Sequence, residues 1–351
     1  MRVLFDLLHP AHYHLFKHVI SGLVDGGHEV EIIARQKDCL AELLARSGFE
    51  YRLIPRRGGG GLFVLGVETI RATLKAIRLS LGKRFDLMVG TSISVGPAAR
   101  VTGSKSIIFE EDDAKAVPVY ARLGYPFAHY VVTPKCLEFE GHGKKHITYP
   151  GYHELAYLHP NRFTPEKGIL KELGVEKEER YFLVRLVALR AHHDIGEKGI
   201  GTEQAKMIIE KLSGYGRVFI SAESTVDPGL EKYLLRTPVD KIFDVLAFAD
   251  IVIGDSQTMT AEAAVLGTPA LRCNTFVGRL AYLEELEHKY GLTRGFLPKD
   301  FEGLMAELDG WLGQDDLKEQ WEQKRQKMLD ECVDLTDWIL VLFDKLVKGA
   351  G

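Results

Sequence analysis

The sequence predicts an α/β protein of two doubly wound domains, and three observations carry that expectation. Short β-branched runs alternate with helical stretches along most of the chain, the pattern of right-handed βαβ units and largely parallel sheets. One stretch, IVIGDSQTMTAEAAVLGTPALR from Ile251 to Arg272, holds a complete strand–turn–helix–strand unit. Beyond Asp300 the pattern turns purely helical.

In the first half the strand-like runs are Val3–Leu8, Glu29–Ala34, Tyr51–Ile54, Leu87–Gly90, Ser106–Phe109 and Tyr130–Thr133. In the second they are Tyr181–Leu189, Arg217–Ser221, Ile251–Gly254, Ala270–Cys273 and a short run at Gly295–Leu297. His153–Gly174, polar and broken by Pro160 and Pro165, reads as the inter-domain connection. The expected division is therefore 1–160 and 161–312, with a helical tail over 313–351. Leu335, Trp338, Ile339, Leu342, Phe343 and Leu346 share one helical face, which must pack on the rest of the chain or on a second copy. A homodimer is thus one open reading. A cleft between two doubly wound domains is the default ligand site.

Composition narrows the class. With 351 residues, 46% apolar and 27% charged, the chain can bury a large core and belongs with soluble globular proteins. A net charge of −4 gives no general attraction to nucleic acid or anionic lipid, and no basic stripe or membrane-facing amphipathic helix stands out. Cys39, Cys136, Cys273 and Cys332 lack the paired spacing of zinc sites and read as reduced cysteines of a cytoplasmic protein. No apolar run approaches the ~20 residues of a membrane span. RVLFDLL at the N-terminus is interrupted by Asp6 and reads as the first strand, not a signal peptide.

Within Ile251–Arg272, Ile251, Val252 and Ile253 form the uninterrupted β-branched run of a strand covered on both faces. Asp255, Ser256, Gln257 and Thr258 offer capping oxygens and backbone N–H groups at a helix start, a ready place for a phosphate. Gly267 and Pro269 end the helix. Glu262 falls about one turn in, where a carboxylate can accept hydrogen bonds from a ribose.

This block resembles the nucleotide-sugar signature of the GT-B superfamily, the fold of many glycosyltransferases and of UDP-N-acetylglucosamine 2-epimerase. Asp255, Ser256, Glu262, Ala263, Leu266, Gly267, Pro269 and Arg272 match the epimerase pattern at its spacing, and Gln257 and Thr258 stand where that family has paired glycines. The chain also resembles the DUF354 group. The resemblance implies two Rossmann-like domains facing a cleft, a C-terminal helix crossing back to the first, and a UDP-linked sugar as substrate. It implies neither metal nor cofactor.

Further motifs extend the expectation. In DLLHPAHYHLF the turn after the first strand carries His9, His12 and His14. The resemblance puts His12 at the cleft, as a general base for an acceptor hydroxyl or a phosphate contact. Glu110, Glu111, Asp112 and Asp113 crowd the end of another strand, where mutual repulsion can raise a pKa into an acid–base range. The epimerases place a catalytic Glu here, which Glu110 or Glu111 fits, but their second one is missing from Val117-Pro118-Val119-Tyr120. Arg190, His192 and His193 resemble the loop that meets the sugar phosphate, and Phe243 is a candidate to hold the base or, equally, a core residue of the helix leading to Ala249. Arg56-Arg57-Gly58-Gly59-Gly60-Gly61 reads as a mobile basic loop. Three functions stay open: a metal-independent glycosyltransferase, an epimerase or hydrolase of the nucleotide sugar, and a non-catalytic nucleotide-sugar-binding protein. The acceptor is unspecified.

Overall fold

The computed structural model describes residues 1–37, 39–54, 62–137, 143–176, 178–187, 199–223 and 225–349, with the backbone alone over 62–65. They form two compact units. The first comprises Met1–Arg162 together with Cys332–Gly351, and the second Phe163–Glu331.

The first unit is built on seven parallel strands: β1 (Arg2–Leu7), β2 (Glu29–Arg35), β3 (Arg52–Ile54), β4 (Leu87–Gly90), β5 (Lys105–Phe109), β6 (Tyr130–Pro134) and β7 (His146–Tyr149), in the order β3-β2-β1-β4-β5-β6-β7. The second holds five, β8 (Tyr181–Leu186), β9 (Arg217–Ala222), β10 (Ile251–Gly254), β11 (Ala270–Cys273) and β12 (Thr293–Phe296), in the order β12-β11-β10-β8-β9. Each sheet reverses its winding once, between β1 and β4 in the first and between β8 and β10 in the second. Beyond the carboxyl ends of such strand pairs lies the crevice where doubly wound folds bind ligands.

The central strands are fully buried, as their unbroken apolar runs require: β4 and β10 expose no residue. Strand β7, HITY, is not expected from the sequence. It is short and half-buried and lies at the sheet edge, so its pattern carries neither alternation nor an apolar run. Strand β12 starts earlier than the sequence suggests, at Thr293, and pairs in register with β11.

Two caps fix the helices that matter most to the first unit. His9 is the N-cap of helix Pro10–Asp25, its Nδ1 accepting the Ala11 N–H at 3.2 Å. Asp334 caps Leu335–Lys348 by accepting from the Thr336 and Asp337 amides. Leu335, Ile339, Leu342 and Phe343 are buried, and Phe343 lies 6.4 Å from Phe5 of β1. The tail helix thus covers the first sheet from within its own unit. Leu317–Glu331 stays with the second unit, so the return begins at Cys332. Among the described residues no helix is long and apolar enough to cross a membrane.

Candidate active site

In the first unit, polar side chains gather where β1, β2, β4 and β5 end. Asp6, a lone charge near the end of an apolar strand, is 5% exposed and binds the Arg35 guanidinium from the end of β2. The Ser92 and Ser94 hydroxyls also donate to Asp6, Ser92 at 2.6 Å. This buried network fixes the Thr91–Ser94 turn after β4. Thr91 Oγ1 in turn lies 2.7 Å from His12 Nδ1, so the two loops of the reversal point are joined.

His12 keeps its place from the sequence reading, at the start of helix Pro10–Asp25 beside the end of β1. Its Nδ1 accepts the Leu8 N–H at 3.2 Å, which leaves the proton of the neutral ring on Nε2. Burial pushes its pKa well below the ordinary value, helped by His9, His153, Lys37 and Arg35. The ring is therefore neutral at pH 7, the state from which a base must start.

In the acidic turn the two glutamates hold their protons. Burial raises the Glu110 pKa well above the carboxylate range, reinforced by Asp112 and Glu111, although Glu110 Oε1 accepts the Glu111 and Asp112 amides at 3.2 and 3.3 Å. Glu111 is pushed up to about 8, again by burial first and Asp112 second. His153 Nδ1 stands 3.2 Å from Glu111 Oε2, and burial drives that imidazole down to about 4. At neutral pH the pair is a carboxylic acid beside a neutral imidazole, not an ion pair. His153 is absent from the sequence reading because it sits in what reads as a linker. Asp6 and Arg35 are missed as well, and Asp6 interrupting an apolar strand was the available signal.

In the second unit the helix start behaves as expected, with the roles redistributed. Ser256 is the N-cap of Gln257–Leu266, its Oγ accepting the Met259 N–H at 3.2 Å. Ser256, Gln257 and Thr258 are half-exposed at the reversal point of the sheet. The first-turn amides of a helix have no intrahelical acceptor and carry its positive dipole end. Asp255 is not a cap. It is 2% exposed, and its carboxylate accepts the Val187 N–H at 2.8 Å and the Ile200 N–H at 3.2 Å. Burial raises its pKa to about 6, against the pull of these amides. One carboxylate thus holds both feet of the segment that joins β8 to helix Thr202–Ser213. A Cβ on Gly199 would collide with that carboxylate, which accounts for glycine there. Arg190, His192, His193 and the Arg56–Gly61 loop lie outside the described residues.

Glu262 is 6% exposed in the helix interior, and Gly267 closes the helix with a φ of 79°. Two expected ligand residues are placed inward. Arg272 is fully buried at the end of β11, with Nη2 3.3 Å from Glu284, so its guanidinium serves an internal ion pair. Phe243 is 3% exposed and meets Phe163 edge-on at 6.1 Å, the core position that its helix also allows. Both are apolar-strand or amphipathic-helix positions, where spacing alone does not distinguish inward from outward. Arg185, which the sequence reading passes over, emerges instead near the end of β8. It donates to Ser221 Oγ at 2.8 Å and pairs with Glu223. Among the described residues no group of three His, Cys, Asp or Glu side chains is arranged to hold a metal.

Comparison with solved structures shows the same architecture. The chain is similar to the S. aureus MnaA–UDP co-structure, with 12% identity, a TM-score of 0.69, and 99% of this chain and 97% of that one covered. It is similar to UDP-GlcNAc 2-epimerase from Neisseria meningitidis bound to UDP-GlcNAc, at 12% identity and a TM-score of 0.65, covering 98% and 99%. It is likewise similar to the Streptomyces sp. SF2575 glycosyltransferase SsfS6 complexed with thymidine diphosphate, at 13% identity and a TM-score of 0.61, covering 98% and 99%. At these identities the likeness shows the fold, which is GT-B-like. No curated protein matches the chain. Residues 1–282, most of the sequence, match the model of the family described as "Protein of unknown function (DUF354)", and the chain belongs to that family.

Proposed function

We propose that the chain is a metal-independent glycosyltransferase that takes its sugar from a nucleoside diphosphate, with uridine as the base. The observation that carries this reading is the Ser256-capped helix start at the reversal point of the second sheet. There the half-exposed first turn offers backbone N–H groups to a diphosphate. Solved structures of the same fold that contain UDP, UDP-GlcNAc or thymidine diphosphate support it. One helix end contributes only ~0.3–1 kcal/mol to an anion, so cationic side chains must supply the remainder. Arg190, His192 and His193 are assigned that task from the sequence, and Glu262 the ribose. Negative charge gathers on the departing diphosphate, and donors fixed in advance at that position favour the transition state.

The first unit is assigned the acceptor. The Thr91 hydroxyl takes the proton of the acceptor hydroxyl and passes its own to His12 Nδ1, 2.7 Å away, in place of the Leu8 amide. Replacing His12 by Asn keeps a hydrogen-bonding group but no base, and is expected to lower the transfer kcat by ~10² or more with KM little changed.

The protonated Glu110 and Glu111 favour a second reading, an acid–base reaction on the nucleotide sugar itself. Solvent deuterium appearing in recovered nucleotide sugar without any acceptor would establish that reading and displace transfer.

Thermal unfolding in the presence of nucleotides tests the donor site. A ligand at a hundred times its dissociation constant is expected to stabilise the fold by ~2.7 kcal/mol. UDP and UDP-sugars should do so, and Glu262→Gln, which preserves volume in a buried position, should reduce the response. An unchanged midpoint with every nucleotide would remove the proposal.

A further inference from the structure

We infer that the outer face of helix Leu62–Gly82 docks the first unit onto an anionic phospholipid bilayer. This assignment is independent of the donor site. It also reverses the expectation that no membrane-facing amphipathic helix is present.

The helix has two contrasting sides. Ala72 and Ala76 are 1% and 7% exposed and pack, with Ile77 and Leu79, among Leu4, Ile33, Ile54, Phe85 and Met88. On the opposite side stand three large apolar side chains with no core to enter: Ile70 is 60% exposed, Leu74 50% and Leu81 83%. At 100° per residue these three fall within ~40° of one another, and Arg78, Arg71 and Lys75 follow on one flank, ~40–100° beyond Leu74. An apolar stripe beside a basic one is the arrangement of a helix that lies in a membrane interface, acyl-facing on one flank and headgroup-facing on the other.

The basic flank is also concave. A groove of about 490 Å³ is lined by Arg52, Ile54, Arg71, Leu74, Lys75, Arg78 and Leu79. Lys75 Nζ donates to the Leu53 carbonyl at 3.1 Å, and Arg52 is partly neutralised by Glu31 at 3.3 Å. Arg71 and Arg78 complete a cationic rim on a chain whose net charge is −4. A phosphodiester headgroup complements that charge, while Ile70, Leu74 and Leu81 enter the acyl boundary beside it. A second copy of this chain fits less well: two-fold pairing sets the same patch against itself and brings the arginines together.

Flotation of the full chain with vesicles tests the assignment. At low salt it should float with vesicles of equal parts phosphatidylglycerol and phosphatidylcholine, and not with phosphatidylcholine alone. Arg71→Gln with Arg78→Gln should weaken binding about twenty-five-fold, a factor of about five for each basic residue near the surface. Leu74→Ser with Leu81→Ser should weaken it about tenfold or more. Because Leu74, Arg78 and Leu81 are exposed and Arg71 is half-buried outside the core, thermal midpoints of both variants should match the parent, so loss of binding reports the face and not unfolding. Absence of the parent from the anionic vesicle fraction, equal binding to the neutral vesicles, or binding untouched by either pair would each overturn the assignment.

Discussion

Asp6→Ala is expected to lower the unfolding free energy by about 3–5 kcal/mol, the cost of leaving a buried charge without its partner. The variant strands the Arg35 guanidinium, whose side chain is 5% exposed, and removes the acceptor of Ser92 and Ser94. Arg35→Met in the same background should return a large part of that loss, since an apolar side chain has no charge to desolvate. Urea titration of the four proteins of this cycle measures both quantities. A loss below about 1 kcal/mol would show that the pair is solvated and does not anchor the turn after β4. The functional consequence runs through Thr91. Without Asp6 the Thr91–Ser94 turn loses its anchor, and the contact with His12 loosens even where folding survives.

The second large effect is on pH dependence. Folding raises the Glu111 pKa from 4.5 to about 8, so the native state holds this proton more tightly than the unfolded chain. The resulting stability is complete below about pH 4.5 and is lost as pH rises through about 8, about 5 kcal/mol over the whole span. His153 acts with the opposite sign. Lowered from 6.5 to about 4, it contributes stability above 6.5 that is lost as pH falls through about 4. His12 and His14, also lowered, share that sign. Below pH 6.5 the two trends oppose one another. Above it the histidines of the unfolded chain lose their charge within about one pH unit, after which the carboxyl effect stands alone. Stability should therefore fall between pH 6.5 and 8.5, with about 2 kcal/mol of the fall due to Glu111. Glu111→Gln should make that part of the profile shallower by the Glu111 share, leaving the contribution of Glu110, which is raised as well. Parallel profiles for parent and variant would mean that Glu111 ionises freely in the folded protein.

Much of the architecture is readable from residue pattern alone, because parallel strands buried on both faces announce themselves as unbroken apolar runs. β4, β10 and β11 coincide with the runs Leu87–Gly90, Ile251–Gly254 and Ala270–Cys273. β7 escapes because an edge strand need not be apolar. The helix stop at Gly267 and the cap at Ser256 are equally legible, being local chemistry. The inward turn of Arg272, the core position of Phe243 and the meeting of Asp6, Arg35, Ser92 and Ser94 depend on tertiary placement. Asp6 and Ser92 are far apart in sequence and adjacent only because β4 pairs with β1. Helix Leu62–Gly82 hides its two faces for another reason. Ala72, Ala76, Ile77 and Leu79 pack inward while Ile70, Leu74 and Leu81 stand outside, so apolar residues occur on both sides and apolar periodicity does not tell them apart.

The first unit is interrupted in sequence: the chain leaves it at Arg162 and resumes it at Cys332. Arg162 Nε binds Asp334 at 2.8 Å, so exit and re-entry are tied side by side. On the ribosome this imposes an order. At ~5–20 residues per second the intervening segment takes roughly 10–30 s to emerge, and domains fold as units as they appear. The domain that begins first is thus the last to be finished. Until Leu335–Lys348 arrives, Phe5 and the helix that closes over it wait with an open apolar flank, a window in which a nascent chain depends on chaperones more than its final fold suggests.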